Sequence, residues 1–507
     1  MKHLNRLAFT VAFMATLGAS AARAQNVPAA RWPEGVRAAL QAANVPIDAL
    51  AVAVLPTGKL GTRWLHQPDR AMQPASTMKL VTSVVALDQL GITHRSFTEV
   101  QTAAVLDGDV LRGDLVLRGG ADPELGLPEL WALLSELRFQ GIREIAGDIV
   151  LDRNLFRPAR PDAGVPPFDE WPEFPYNVVP DALHLAGSLM GVELSSQAFP
   201  DTVTARALPP LPGIVIDTSA MTLVDRACKD WDDGWQTPPA VSTDTDGRTR
   251  VQLRGNFPRQ CTTRAELQLL DRNQQAQAQL RWLWQQLGGQ WAGTVRDGAV
   301  PPGARVLARR QSRPWAELLR PLNKRSDNAY TRLLYLQLGV PAMAANPQAN
   351  TSDLARAAVL RWFAEHRIGT QGLVLDNGSG LSRSERITPW QLASMLRVAH
   401  AGRFAAELTM SLPVAGVDGG LRRRLADSPA AGWARLKSGT LRNVVALAGY
   451  VNDPEGRPWA VAIMVNHDRA SVARPVLDAL VDHMARHGPH GERGPRAATI
   501  GPQGEGP

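Results

Sequence analysis

The chain has 507 residues, 44% of them hydrophobic, and a formal net charge of +7 with a pI near 9.8. A chain of this length forms about two to four domains with sizeable cores. Its basic residues are scattered along the sequence and are not gathered into a stripe with interleaved aromatic residues, which argues against a nucleic-acid-binding surface.

The N-terminus has the three parts of a secretory signal peptide. Lys2 and Arg6 provide positive charge, an apolar run extends from Leu7 to Leu17, and small residues follow up to Ala24. The apolar run is well short of the roughly 20 residues that span a bilayer, so we expect no transmembrane anchor. We predict that residues 1–24 are a signal peptide cleaved after Ala24 and that the protein is exported.

The chain has two cysteines, Cys228 and Cys261. Disulfides persist in exported proteins, and a bridge here would close a loop of about 34 residues and stabilise the fold by about 3–4 kcal/mol. Two cysteines do not by themselves establish a bridge, and two buried free thiols are the alternative.

The first predicted elements lie before residue 96. The aliphatic run from Asp48 to Leu55 and a short run from Thr62 to His66 predict a hairpin. The segment STMKLVTSVVALDQLG, residues 76–91, has apolar residues at helical spacing and predicts an amphipathic helix that begins at Ser76.

The pattern changes at Phe97 to short alternating strands. One helix is predicted from Leu127 to Gln140, a proline-rich stretch extends from Pro158 to Pro180, and strand patterns continue to about Leu270. We predict that residues 97–270 form an inserted β-rich module of one or two subdomains. It should leave and re-enter the catalytic domain at neighbouring points.

Helical periodicity returns from Gln274 to Gln286 and continues in two later segments. Three strand-like runs and a last helix follow, at residues 435–440, 444–453, 459–467 and 476–484. Strands near both ends of the chain, with helices between them, predict one α/β (α+β) domain whose sheet combines both ends. This domain comprises residues 25–96 and 271–487, and the Gly- and Pro-rich tail, residues 488–507, is expected to be disordered.

Three short motifs occur once each: Ser76-Thr77-Met78-Lys79, Ser326-Asp327-Asn328 and Lys437-Ser438-Gly439-Thr440. Two of their residues are lysines, although the 55 basic residues include only six lysines and 49 arginines. Because an arginine stays protonated whereas a buried lysine can lose its proton, the two lysines indicate a chemical requirement. A helix cap, a turn and a solvated lysine would each explain one motif, but not the three together.

The first motif has the residues of an activated nucleophile. A serine hydroxyl is a poor nucleophile until a nearby base takes its proton. Ser76 and Lys79 are one helical turn apart, so the amine can reach the hydroxyl. Lys79 can act as the base only if its pKa falls, which burial and the second cation at Lys437 would both cause.

The other two motifs provide groups for the substrate. We expect Ser326 to relay a proton to the leaving amine, Asn328 to hold Lys79 and the substrate amide, and Lys437 to attract a substrate carboxylate. Ser438 and Thr440 offer hydroxyls to that carboxylate.

We expect Gly439 to leave room for the substrate backbone. The backbone N–H groups of Ser76 and Thr440 are the predicted oxyanion hole.

These motifs together are those of penicillin-binding proteins and class A β-lactamases. The first two are 326 − 76 = 250 positions apart, and residues 376–383 read DNGSGLSR. The chain therefore resembles the low-molecular-mass class C penicillin-binding proteins, the S13 peptidase family of D-Ala-D-Ala carboxypeptidases and endopeptidases. That family has a large insertion between the first two motifs and a DGSGLSR signature. In this chain, Asn377 is one extra residue after the aspartate of that signature. The third motif reads KSGT, whereas KTGT is commoner in the family. The serine keeps the hydroxyl of the threonine that it replaces.

The resemblance implies a transpeptidase-like domain of the penicillin-binding-protein and β-lactamase type, with an antiparallel sheet flanked by helices and a helical subdomain. It implies a periplasmic serine enzyme that cleaves peptidoglycan stem peptides through an acyl-enzyme, is acylated by β-lactams, and uses no metal or cofactor. It also implies that Arg383 contacts substrate. An acidic residue of the insertion would meet the amine of the peptidoglycan diamino acid, and the candidates are Asp169, Glu170 and Glu173.

Two other functions fit part of this pattern. A class A β-lactamase shares the chemistry, but the length, the 250-position gap and the absence of a Glu-x-x-Leu-Asn motif after Ser326 disfavour it. A catalytically silent peptidoglycan-binding protein would not need a base beside a serine. Labelling with a fluorescent penicillin separates an enzyme from a silent binder.

Overall fold

The structure, a computed structural model, describes residues 32–58, 63–197 and 201–489. The predicted signal peptide and residues 490–507 of the predicted tail lie outside these ranges. The α-helices of the described residues are α1 (Glu34–Ala43), α2 (Lys79–Gln89), α3 (Leu127–Phe139), α4 (Arg272–Gln286), α5 (Trp315–Arg325), α6 (Asn328–Gln337), α7 (Thr351–Glu365), α8 (Pro389–Ala401), α9 (Ala405–Ser411) and α10 (Arg474–His487).

The strands of the described residues are β1 (Leu50–Pro56), β2 (Trp64–His66), β3 (Phe97–Thr102), β4 (Val105–Asp107), β5 (Val110–Arg112), β6 (Leu115–Gly120), β7 (Glu144–Ile145), β8 (Ile149–Asp152), β9 (Met190–Ser196), β10 (Val203–Leu208), β11 (Ile214–Val224), β12 (Trp235–Thr243), β13 (Thr249–Pro258), β14 (Thr262–Leu267), β15 (Gln290–Trp291), β16 (Val295–Asp297), β17 (Arg305–Gln311), β18 (Arg435–Leu441), β19 (Val444–Asn452) and β20 (Pro458–Asn466).

One antiparallel sheet combines both ends of the chain. Its strand order is β18-β19-β20-β1-β2, so the strand after α1 pairs with the last strand of the chain. Every residue of β1 is buried because helices cover both faces of the sheet, with α1 and α10 on one face and α8 on the other. The predicted hairpin and the three predicted C-terminal strands are confirmed.

Helix α2 lies at the centre of a helical cluster. It packs against α5, α6, α7 and α8, and its first nine residues are buried. The core around it includes Val81, Val85, Leu333 and Phe363, each at most 1% exposed. The helix that begins just after Ser76 is therefore held between the sheet and these helices, so its first turn has a defined position.

The strands between β2 and α5 form sheets of their own. One part contains the sheets β16-β8-β6-β3-β17 and β15-β7-β5-β4 with α3 and α4, around a separate hydrophobic core. A second part contains the sheets β10-β9-β14 and β11-β13-β12, with another core. A disulfide joins Cys228 and Cys261 in this second part, so they are not free thiols. Within the described residues, no strand from this region enters the sheet that contains β18.

The predicted boundary at residue 270 is wrong. The later strands β15, β16 and β17 pair with β7, β8 and β3, so the region extends to Gln311. Gln311 pairs directly with Phe97, which places the two ends of the region side by side. Strands β15 and β16 have only two and three residues, and most residues of all three strands are at least partly exposed. They therefore lack the alternating apolar pattern from which strands are recognised.

Candidate active site

Three separate elements bring the motifs together. Ser76 lies in a 3₁₀ turn, Ala75–Met78, which runs directly into α2 at Lys79. The second motif joins α5 to α6, and the Asp327 carboxylate caps α6 by accepting a hydrogen bond from the Tyr330 N–H. The third motif lies on β18, the strand at the edge of the sheet.

Lys79 is the centre of the polar contacts. Its Nζ lies 3.2 Å from Ser76 Oγ, and it donates to Asn328 Oδ1 and to the Ser379 carbonyl oxygen, each at 2.5 Å. The side chain has no exposed surface. Burial, followed by the charge of Lys437, holds the pKa of Lys79 well below its usual value. The predicted contact with Ser76 is therefore present, and the amine is biased toward its neutral form.

Lys437 is a second buried amine. Its Nζ donates to Ser326 Oγ at 2.9 Å and to the Ser438 carbonyl oxygen at 2.8 Å. Burial lowers the pKa of Lys437 to about 7. This amine is therefore divided between its charged and neutral forms near neutral pH, and it is in contact with the hydroxyl predicted to relay a proton.

Asn328 links this site to the inserted region. Its Oδ1 accepts from Lys79, and its Nδ2 donates to the Tyr176 carbonyl oxygen at 2.9 Å. A cleft of about 670 Å³ opens here. Its walls include Ser76, Ser326, Asn328 and Thr440 from the motifs and Phe168, Asp169, Glu170, Trp171 and Tyr176 from the insertion.

Gly439 has a different neighbour from the one that the sequence predicts. A Cβ atom on Gly439 would lie 2.7 Å from the Pro74 carbonyl oxygen and 3.0 Å from the Ser76 nitrogen. Gly439 therefore allows β18 to pack against the turn that holds Ser76, and it does not leave open space for a substrate backbone. Ser438 is half-buried and Thr440 is exposed beside this contact.

Arg383 and the acidic candidates lie at the insertion side of the cleft. Arg383 is exposed, its guanidinium carbon lies 4.7 Å from the centroid of the Phe168 ring, and it donates to the Phe168 carbonyl oxygen. Asp169 lines the cleft but accepts hydrogen bonds from the Tyr176 hydroxyl and Asn177. Glu170 is exposed and lines the cleft, whereas Glu173 is only 3% exposed and does not line it.

Sequence reasoning missed Glu385. This buried carboxylate accepts hydrogen bonds from four backbone N–H groups of the DNGSGLSR segment, those of Asp376, Asn377, Gly378 and Gly380. Burial raises the pKa of Glu385. The same segment provides the Ser379 carbonyl that contacts Lys79, so Glu385 fixes one of the partners of Lys79. It stands two residues after the segment, and no local pattern marks it.

In the described ranges, no group of three or more His, Cys, Asp or Glu residues is arranged to hold a metal ion. Of the helices in the described part of the chain, none is both long and apolar enough to cross a membrane.

The buried lysine beside a serine, the Ser-Asp-Asn turn and the Lys-Ser-Gly-Thr strand define a serine–lysine site of the penicillin-binding-protein type. The model of the D-Ala-D-Ala carboxypeptidase 3 (S13) family matches residues 34–487. The chain belongs to this family, and it is a serine-type hydrolase.

Two relatives agree with this assignment, and one solved structure has the same fold. A D-alanyl-D-alanine carboxypeptidase of Actinomadura sp. (strain R39) is 30% identical over 438 residues, which cover 82% of this chain and 77% of the relative. The D-alanyl-D-alanine carboxypeptidase DacB of Haemophilus influenzae is 26% identical over 404 residues, 78% of this chain and 80% of the relative. The crystal structure of penicillin binding protein 4 (dacB) from H. influenzae matches with a TM-score of 0.71 at 23% identity, over 88% of this chain and 99% of that chain. The predicted family, fold class and enzyme class are confirmed.

Proposed function

We propose that this protein cleaves D-alanyl bonds of peptidoglycan stem peptides in the periplasm, both as a carboxypeptidase and as an endopeptidase, with Ser76 as the nucleophile. The observation that carries the proposal is the buried Lys79 amine 3.2 Å from Ser76 Oγ. A serine with a low-pKa amine at hydrogen-bond distance has the requirements of a covalent catalyst.

Acylation begins when Ser76 Oγ attacks the carbonyl carbon of the scissile D-alanyl bond and Lys79 takes the hydroxyl proton. The negative oxygen of the tetrahedral intermediate lies between the backbone N–H groups of Ser76 and Thr440. Ser326 then gives a proton to the leaving nitrogen and regains one from Lys437, and the C–N bond breaks. The contact between Lys437 and Ser326 at 2.9 Å supports this transfer.

Deacylation uses the same groups with water in place of the leaving amine. Before the water attacks, the proton that Lys79 took from Ser76 returns to Lys437, so that Lys79 is neutral again. Lys79 then takes a proton from the water as it attacks the ester and gives it to Ser76 Oγ, which leaves as a hydroxyl. The sequence contains no Glu-x-x-Leu-Asn motif after Ser326 to activate water on a β-lactam ester. We therefore expect penicillin to acylate Ser76 and to remain attached.

The charges of the site match the two ends of a stem peptide. Lys437, Ser438 and Thr440 hold the carboxylate next to the leaving amine. On the acyl side, Glu170 takes the amine of the diamino acid and Arg383 takes a carboxylate. Glu170 is preferred to Asp169 because the Asp169 carboxylate already accepts three hydrogen bonds.

The periplasmic location is supported by the signal-peptide pattern in residues 1–24 and by the disulfide between Cys228 and Cys261, a bond that persists in oxidising compartments.

The test is to incubate the purified protein with a fluorescent penicillin, and then to measure D-alanine release and cross-link cleavage on purified muropeptides. We expect covalent labelling and both products. A protein that binds muropeptides without labelling or cleavage would be a silent binder and would contradict the proposal. Rapid release of hydrolysed penicillin would favour a β-lactamase.

A further inference from the structure

A short turn lies against the third motif. This 3₁₀ turn, Gly419–Leu421, contacts both α5 and β18. A Cβ atom on Gly419 would lie 2.9 Å from the Lys324 carbonyl oxygen, and one on Gly420 would collide with the Ser438 hydroxyl. Gly420 therefore lies directly against Ser438, and Arg422 and Arg423 follow the turn in the chain.

Four exposed arginines surround the turn: Arg320, Arg325, Arg422 and Arg423, called here the arginine rim. Arg325 directly precedes Ser326, and Arg422 and Arg423 directly follow Leu421. Within the described residues, none of the four forms an ion pair or a side-chain hydrogen bond. By contrast, many other arginines of the chain are paired with carboxylates, so an unpaired group of four is a local concentration of positive charge.

Two carboxylates near the rim are bound by cations outside it. Asp418 is bound by Lys324. Burial raises the pKa of Asp418, but the bond to Lys324 and the charges of Lys324 and Arg320 outweigh burial and lower the pKa. Asp478 is bound by Arg424. Four cations grouped around a turn that lies against Ser438 attract anionic ligands and orient them as they approach.

The two proposed reactions differ on this side of the site. A carboxypeptidase releases D-alanine, which ends at the carboxylate pocket of Lys437. An endopeptidase releases an amine that carries a second stem peptide, with further carboxylates beyond that pocket. The turn with Gly420 lies against the Ser438 hydroxyl, and the rim arginines are on α5 and directly after this turn.

We propose that the arginine rim is a binding surface for the carboxylates of the leaving stem peptide and that it selects cross-linked over uncross-linked substrate. This rests on the proposed function, because it requires Ser76 to cleave both kinds of bond. The rim takes no part in the chemical step, so it acts through substrate binding.

The test uses Arg422→Gln/Arg423→Gln and the charge-reversed Arg422→Glu/Arg423→Glu in the full chain. The matched control is Arg254→Gln/Arg361→Gln, which removes two exposed, unpaired arginines away from the turn. Each protein is assayed for penicillin acylation, for D-alanine release from a monomeric pentapeptide and for cleavage of a cross-linked muropeptide dimer.

We expect both rim variants to raise KM for the cross-linked dimer, by roughly fivefold to tenfold for the glutamine pair and by more for the reversal. D-Alanine release and penicillin acylation should match the control. Added salt should weaken dimer cleavage by the wild type and have less effect on the variants.

An unchanged KM for the dimer in the charge-reversed variant would overturn the rim proposal, as would an equal loss of D-alanine release. A wild type that is not labelled and releases no D-alanine contradicts the proposed function itself, so the two failures are distinguishable.

Discussion

The amine of Lys437 lies 2.9 Å from the hydroxyl of Ser326, although 111 positions separate the two residues in the chain. Ser326 has a left-handed backbone conformation, with φ of 60°, where α5 ends, and Lys437 extends from the edge strand of the sheet. This contact connects the helical cluster to the sheet at the place where Lys79 is also buried. Two amines with lowered pKa values therefore share one site.

Ser76→Ala should abolish peptidase activity and covalent penicillin labelling, because the acyl-enzyme forms through this oxygen alone. The melting temperature should remain near that of the wild type, since only one half-buried hydroxyl is removed. Gel fluorescence after penicillin treatment measures the labelling. Stoichiometric labelling of the alanine variant would show that another residue is the nucleophile.

Lys79→Arg should slow acylation almost as much as Lys79→Ala, by about 10²-fold or more, because a guanidinium does not release its proton to act as a base. Stopped-flow acylation by a reporter β-lactam gives the rate constant. Lys229→Arg, an exposed lysine in the insertion, is the matched control. If Lys79→Arg acylates at the wild-type rate, the base lies elsewhere.

The reaction with a carboxylate-ended peptide should weaken as the pH rises above about 7, where burial places the pKa of Lys437. Lysine is charged below its pKa, so the attraction for the substrate carboxylate is present at lower pH and is lost above this value. The profile of kcat/KM against pH measures the effect. A peptide with a C-terminal carboxamide is the control, and an identical decline in both substrates would exclude Lys437 as the carboxylate partner.

Glu385→Gln should reduce the acylation rate about tenfold and the free energy of unfolding by about 1–3 kcal/mol, because an amide cannot accept from all four backbone donors. The effect should appear in the acylation step and leave the initial binding of penicillin unchanged, since Glu385 acts by positioning the Ser379 carbonyl beside Lys79. Glu365→Gln, on the exposed side of α7, is the control. Wild-type acylation by Glu385→Gln would show that this carboxylate has no effect on Lys79.

Cys228→Ala/Cys261→Ala should destabilise the insertion by about 3–4 kcal/mol, the loop-closure contribution of this bridge. Penicillin labelling of Ser76 should persist, because the disulfide lies by a hydrophobic core separate from those of the catalytic domain. Chemical denaturation measures the free energy of unfolding of the variant, which is compared with that of the oxidised and of the reduced wild type. A parallel loss of labelling in the native variant would mean that the two regions fold as one unit.

The sequence by itself determined the parts of this site that depend on local geometry. Ser76 and Lys79 are one helical turn apart, so their contact follows from helix periodicity. The sheet from both chain ends was also predictable, because β1, β19 and β20 are continuous apolar runs typical of strands covered on both faces.

Only the tertiary structure decided the features that depend on packing between distant segments. Glu385 is a lone carboxylate in a polar run, and its importance comes from four backbone donors that a folded loop turns toward it. Gly439 packs against the turn that holds Ser76, a residue 439 − 76 = 363 positions earlier in the chain. The insertion ends at Gln311 because this residue pairs with Phe97. Periodicity and composition describe only neighbours along the chain, whereas these three contacts exist once the hydrophobic cores have brought separate segments together.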